Sequence, residues 1–207
     1  MTSLSMERNM TCSSVDKTRE LVIDFRKKSP PLQPLTIKGT VVERANSHKF
    51  LGLYLTSNLS WTTNTVTTVK KAQKRLYFIR LLKKAGLGMC PLTHAYRGLI
   101  ETVLTYGITV WFGNATRAEK KSLQRVIKTA ERIIGTNLTP MTELYTERCK
   151  KKAKSILGDI HHPAHSLLKP RHKTYSLRHI RADSIITHKT RFYNSFYPAV
   201  VRLMANS

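Results

Sequence analysis

The sequence predicts an α+β chain: short antiparallel strands over about residues 20–55, a mainly helical bundle over about 62–157, and an irregular basic tail. Three observations predict it. Up to Trp61 the apolar residues stand in short runs separated by Pro, Gly and Ser, which is a strand pattern. From Thr62 they recur three and four apart, which is a helical pattern. Beyond residue 158 that periodicity weakens while basic residues persist.

Residues 1–18 are polar, show no period and are expected to be disordered. "ELVIDF" (20–25) is a short apolar run, expected as a strand; it is ended by "RKKSPPLQP", whose prolines forbid a helix. "LTIKGTVVER" (35–44) reads as a hairpin, with β-branched residues on both sides of a Lys38-Gly39-Thr40 turn. "KFLGLYL" (49–55) is a further strand candidate.

Val66, Val69, Leu76, Ile79 and Leu82 then mark a helix that should stop near Gly86 and Gly88. A second helix is expected from Pro91 to Tyr106, with Tyr96, Leu99, Ile100, Val103 and Leu104 on one face. "GITVWFGN" reads as a buried turn or short extension carrying Trp111. Thr116-Arg-Ala-Glu119 has the capping-box pattern. The helix it opens turns Leu123, Val126, Ile127, Ala130, Ile133 and Ile134 inward and meets Gly135. A fourth helix, about 141–157, holds Lys150, Lys151, Lys152 and Lys154. "RFYNSFYPAVVRL" (191–203) is aromatic enough to dock back onto the rest.

The charge decides the class of partner. The chain carries 36 Lys plus Arg against 12 Asp plus Glu, a net charge of +24. Such a field draws polyanions, nucleic acid first and anionic membrane or acidic protein after it. Between residues 62 and 100 there is no acidic residue at all, so Lys70, Lys71, Lys74, Arg75, Lys83 and Lys84 have no local counter-charge. Lys121, Arg125, Lys128 and Arg132, at i, i+4, i+7 and i+11, form a second basic stripe, expected beside the apolar face. These ten are the candidate phosphate contacts; the competing reading is a solvated surface with lysine stems lying over the core. Tyr77 and Phe78 offer rings for base stacking, with at least one of the two expected in the core.

Other chemistry is excluded by what is missing. Cys12, Cys90 and Cys149 are odd in number and widely spaced, so no disulfide framework is implied. His161, His162 and His165 with Cys149 lack the second cysteine a structural zinc site wants, and Pro163 interrupts them, so no metal is expected. The aspartates are Asp16, Asp24, Asp159 and Asp183, with no adjacent pair for two-metal phosphoryl transfer. There is no His-x-Asp start of an iron facial triad, no glycine-rich nucleotide loop and no G-x-S-x-G elbow. No catalytic residue and no cofactor is expected. No run of eighteen apolar residues and no signal-type h-region occurs, so the chain is expected in the nucleus or cytoplasm, neither secreted nor membrane-bound.

Five segments carry a family resemblance: "DKTRELVIDFRKK", "HKFLGLYLTSNLSW", "AQKRLYFIRLLKKAGL", "YRGLIETVLTYGITVWFGN" and "LQRVIKTAERIIG". In this order they resemble the end of a LINE-type, non-LTR retrotransposon reverse transcriptase. The resemblance implies a palm and primer-grip remnant over 19–60, with Phe50, Leu51 and Gly52 at the primer-grip hairpin. It implies a thumb-like helical domain over 61–158 that holds a template–primer duplex by its backbone, and a basic C-terminal tail over 159–207. The family's Phe/Tyr-Ala-Asp-Asp turn has no counterpart in this sequence, so polymerase activity does not carry over.

Residues about 70–112 also resemble the N-terminal domain of AlkB homologue 8. That resemblance implies 2-oxoglutarate-dependent dioxygenase and methyltransferase activities, whose iron triad and methyl-donor loop are absent from these residues. The expected function is therefore a non-catalytic nucleic-acid-binding remnant of a reverse transcriptase. Its partners are RNA, DNA or an RNA–DNA hybrid, held through backbone phosphates. The alternatives are an AlkB homologue 8-like accessory domain and a relic with no role.

Overall fold

The computed structural model describes residues 18–24, 26, 33–168 and 190–205, and the chain divides into two compact units, Met1–Ser60 and Trp61–Ser207. The architecture is α+β: short strands, then a mostly helical region. The polar start over 1–17, Phe25 and the stretch 169–189 lie outside the described residues.

The first unit is built from β1 (Arg19–Glu20), β2 (Thr36–Ile37), β3 (Thr40–Val41), β4 (Glu43–Arg44), β5 (Ser47–Phe50) and β6 (Leu53–Thr56). The β2–β3 hairpin turns through two residues, Lys38 (φ 50°) and Gly39 (φ 78°). β5 and β6 pair antiparallel across Leu51 (φ 45°) and Gly52 (φ 83°). Positive φ at both central residues is the turn whose twist matches flanking strands. "KFLGLYL" is thus a bend and parts of two strands, where periodicity alone predicted one strand.

The expected strand over 20–25 shortens to Arg19–Glu20, and its pairing with β4 is parallel. Charge explains where it sits. Arg19 pairs with Glu43 at 3.3 Å and Arg44 with Glu20 at 3.0 Å, tying the two strands in register. The apolar residues after Glu20 gain no ladder, and Ile23 stays 43% exposed. Val42 is the one buried hydrophobic among the described residues of this unit.

The second unit opens with α1 (Thr62–Lys84). Its inward side is Thr65, Ala72, Leu76 and Ile79, at helical spacing. Val66, expected inward, is exposed, because the face that packs begins at Trp61 and passes Val66 by. The helix stops where glycine allows it. Gly86 takes φ 84°, its N–H reaches the Lys83 carbonyl at 3.0 Å, and the Leu87 N–H reaches that of Leu82 at 3.2 Å. Those two bonds satisfy carbonyls the helix leaves open.

α2 (Met89–Tyr96) runs through a π turn (Arg97–Glu101) into α3 (Thr102–Thr105). Leu92, Tyr96, Ile100 and Leu104 are all buried, and they stand four apart. On a 3.6-residue helix such spacing drifts away from the core. The π turn takes in one extra residue and cancels the drift.

α4 (Ile108–Trp111) and a 3₁₀ turn (Phe112–Asn114) follow, so "GITVWFGN" is helical rather than extended. Trp111 is fully buried and its indole N–H donates to the Tyr106 carbonyl at 2.9 Å. α5 (Arg117–Ile134) begins with the expected box: Glu119 N–H donates to Thr116 Oγ1 and Thr116 N–H to Glu119 Oε2. It buries Leu123, Val126, Ile127, Ala130 and Ile134.

α6 (Met141–Gly158) follows, then α7 (His165–Leu168), α8 (Thr190–Tyr193) and α9 (Phe196–Ala205). Within 159–207, where the sequence reads as irregular, residues 165–168, 190–193 and 196–205 are helical, while 160–164 are turns and bends. Val200 and Val201 of α9 and Leu168 of α7 bury against Cys149, Ala153 and Ile156 of α6. The aromatic run at 191–203 does dock back.

Candidate nucleic-acid interface

α1 and α5 pack side by side. Lys83, near the end of α1, donates to the carbonyl of Ile133, near the end of α5, so the two helices run in the same direction. Between them lies a cleft of about 340 Å³ lined by Gln73, Leu76 and Arg80 from α1 and Arg125, Val126 and Thr129 from α5. Its buried lining residues, Leu76 and Val126, are apolar, and each helix contributes one guanidinium.

The ten candidate cations divide by what they already touch. Arg75 is half-buried and donates from Nη1 to the Leu99 carbonyl at 2.6 Å. Lys83 is held by Ile133. Lys128 pairs with Glu131 at 2.9 Å, and Arg132 Nε donates to the Lys128 carbonyl at 3.3 Å. These four answer to groups of their own chain. Lys70, Lys71, Lys74 and Lys84 on α1, and Lys121 and Arg125 on α5, are exposed.

The α5 stripe also stands elsewhere than expected. Counting at 3.6 residues per turn, Lys121, Arg125, Lys128 and Arg132 form the crest opposite Leu123, Ile127 and Ile134, rather than a flank beside them. Of the ten, Arg125 alone lines the cleft. Its counterpart there, Arg80, is a residue that charge clustering misses, because it is a single cation between Ile79 and Leu81. The signal was its position four residues after Leu76, which places it at the edge of the core stripe.

Two other cations lie against aromatic rings. Lys120 Nζ reaches the Gly113 carbonyl at 3.3 Å and lies 5.2 Å from the Phe112 ring centre; burial pushes its pKa down. Arg202 stacks 3.6 Å from the Tyr193 ring centre.

Tyr77 and Phe78, of which at least one is expected in the core, are both outside. Tyr77 is 60% and Phe78 50% exposed, and Leu81 beside them is 49% exposed. Two neighbours on a helix point about 100° apart, and here neither direction meets the packed face.

The primer-grip-like residues sit at the tip of the β5–β6 hairpin, with Phe50 57% and Leu51 75% exposed. The histidines are used locally: the Ala164 N–H donates to His162 Nδ1 at 3.1 Å, and His165 Nδ1 lies 3.1 Å from the Ile156 carbonyl. Among the described residues no three His, Cys, Asp or Glu side chains gather as metal ligands. Among the same residues no helix is long and apolar enough to cross a membrane.

Residues 61–102 match the family model described as alkylated DNA repair protein alkB homolog 8, N-terminal. The match takes in α1, α2 and the π turn, well under half of the chain, so the similarity is one of that segment. It begins earlier than the 70–112 read from the sequence and includes the whole of α1. The reverse-transcriptase resemblance gains no support from these comparisons. No curated protein matches the chain, and no solved structure matches it.

Proposed function

We propose that the helical unit is a non-catalytic module that binds nucleic acid through its backbone phosphates. The observation that carries the reading is Arg80 of α1 and Arg125 of α5 lining one cleft, with no acidic residue in α1. Two guanidiniums facing one space repel unless an anion lies between them. Lys70, Lys71, Lys74, Lys84 and Lys121, all exposed, extend the positive surface around them. The name of the matched family is that of a protein repairing alkylated DNA, and a phosphate-binding module fits a protein that works on nucleic acid.

A second reading is favoured by the family match itself. Residues 61–102 then act as an accessory segment of an AlkB homologue 8-like protein, whose dioxygenase and methyltransferase chemistry resides in other domains. The reverse-transcriptase resemblance leads by its own route to the same backbone-binding thumb.

Titration of the intact chain against RNA, DNA and hybrid duplexes at rising salt tests the proposal. Affinity is expected to fall steeply, with a log–log slope of about 4 to 6 from the exposed cations at roughly 0.9 per duplex contact. The slope should be alike for unrelated sequences. A slope near zero, or no binding at low salt, defeats the reading.

A further inference from the structure

We infer that the outward face of α1 is a stacking platform for unpaired bases, so that the module takes single-stranded nucleic acid across this helix. The inference rests on the backbone-binding reading above and adds to it a second recognition element. Tyr77, Phe78 and Leu81 are exposed together, at 60%, 50% and 49%. The Tyr77 and Phe78 rings meet edge to face, with centres 5.8 Å apart and planes at 71°. That contact leaves ring surface open to solvent. Exposed rings beside a cationic track are how sequence-tolerant single-strand binders hold bases.

The arrangement of the charges selects this occupant. Lys70, Tyr77 and Lys84 recur at intervals of seven residues, two helical turns, so they stand in one line along α1. Lys74 and Leu81 flank that line. A helix that lies in a membrane separates its apolar stripe from its charges; here ammonium groups and rings share a stripe. A second copy of this face brings the same cations and no carboxylate, which disfavours self-association. Duplexes hide their base faces, and an unpaired strand offers both phosphates and open rings.

The test uses the intact chain and three probes of matched length: an oligothymidine, an abasic oligomer with the same phosphates, and a duplex. A Tyr77→Ala/Phe78→Ala variant is compared with wild type; both side chains are exposed, and a circular dichroism melt checks that the fold is kept. Wild type is expected to bind oligothymidine about 10- to 100-fold more tightly than the abasic oligomer. The variant should lose that advantage while duplex affinity and salt slope stay unchanged. Equal binding of oligothymidine and abasic oligomer, with salt dependence retained, overturns the platform and leaves the backbone reading standing. Absence of salt dependence with every probe overturns the backbone reading itself. Phosphatidylserine vesicles that compete fully with oligothymidine, and whose binding falls in the variant, overturn the platform in favour of a lipid surface.

Discussion

Arg75 donates from Nη1 to the carbonyl oxygen of Leu99 at 2.6 Å, joining α1 to the π turn. A π turn shifts its carbonyls out of the i to i+4 ladder, and such sites need a donor from outside. The half-buried guanidinium of Arg75 supplies one. The sequence makes Arg75 a candidate phosphate contact; in the structure this guanidinium is bonded within its own chain. Arg75→Ala should lower unfolding free energy by about 2 kcal/mol, the scale of a lost charged hydrogen bond. Denaturant titration measures it, and the salt slope of nucleic-acid binding should not move.

Glu131 sets two properties against each other. Partial burial pushes its pKa up, but the Lys128 ammonium at 2.9 Å and the Leu138 N–H at 3.1 Å outweigh that and hold the carboxyl below its usual value. A lowered folded-state pKa means the carboxylate stabilises fully above the ordinary value, and that stability is lost as pH falls through the folded one. Glu131→Gln should cost about 1 kcal/mol at neutral pH and less in acid, which melts across a pH series would show. The same change frees Lys128 and should steepen the duplex salt slope by about 0.9.

The strand unit should open far more easily than the helices. Val42 is its one buried hydrophobic among the described residues, while Val41, Phe50 and Leu51 are exposed at 61%, 57% and 75%. Such paired strands have little burial to resist local opening. Hydrogen exchange on the intact chain should show Tyr54 and Leu55 amides exchanging orders of magnitude faster than those of Leu123 and Ile127. Equal protection contradicts this.

Much of the helical unit was legible because its signals are local. Thr116 and Glu119 announce the start of α5, and Gly86 and Gly135 announce two stops. The aromatic run at 191–203 announced its docking. What stayed hidden needs a neighbour to be seen. The π turn is invisible until the four-residue spacing of Leu92, Tyr96, Ile100 and Leu104 is set against one packing face. The parallel pairing of Arg19–Glu20 with Glu43–Arg44 depends on cross-strand charges far apart in sequence. Candidate cations were found by counting charge, which cannot tell a lysine facing solvent from one bonded to a carbonyl. Lys83, bonded to the Ile133 carbonyl, and Lys128, paired with the Glu131 carboxylate, count the same as solvent-facing lysines in such a census, and the lone Arg80 does not stand out.

The central claim is that the exposed cations beside the α1–α5 cleft, and not those tied within the chain, meet phosphates. Duplex binding over a salt series, compared between two double variants, tests it most directly. Arg80→Gln/Arg125→Gln removes both cleft guanidiniums. Arg75→Gln/Lys83→Gln removes two cations bonded to carbonyls. The account predicts that the first flattens the log–log slope by about 1.8 units, two contacts at roughly 0.9 each, and that the second leaves the slope at the wild-type value. Equal slopes for the two variants, or a larger loss in the second, would contradict it.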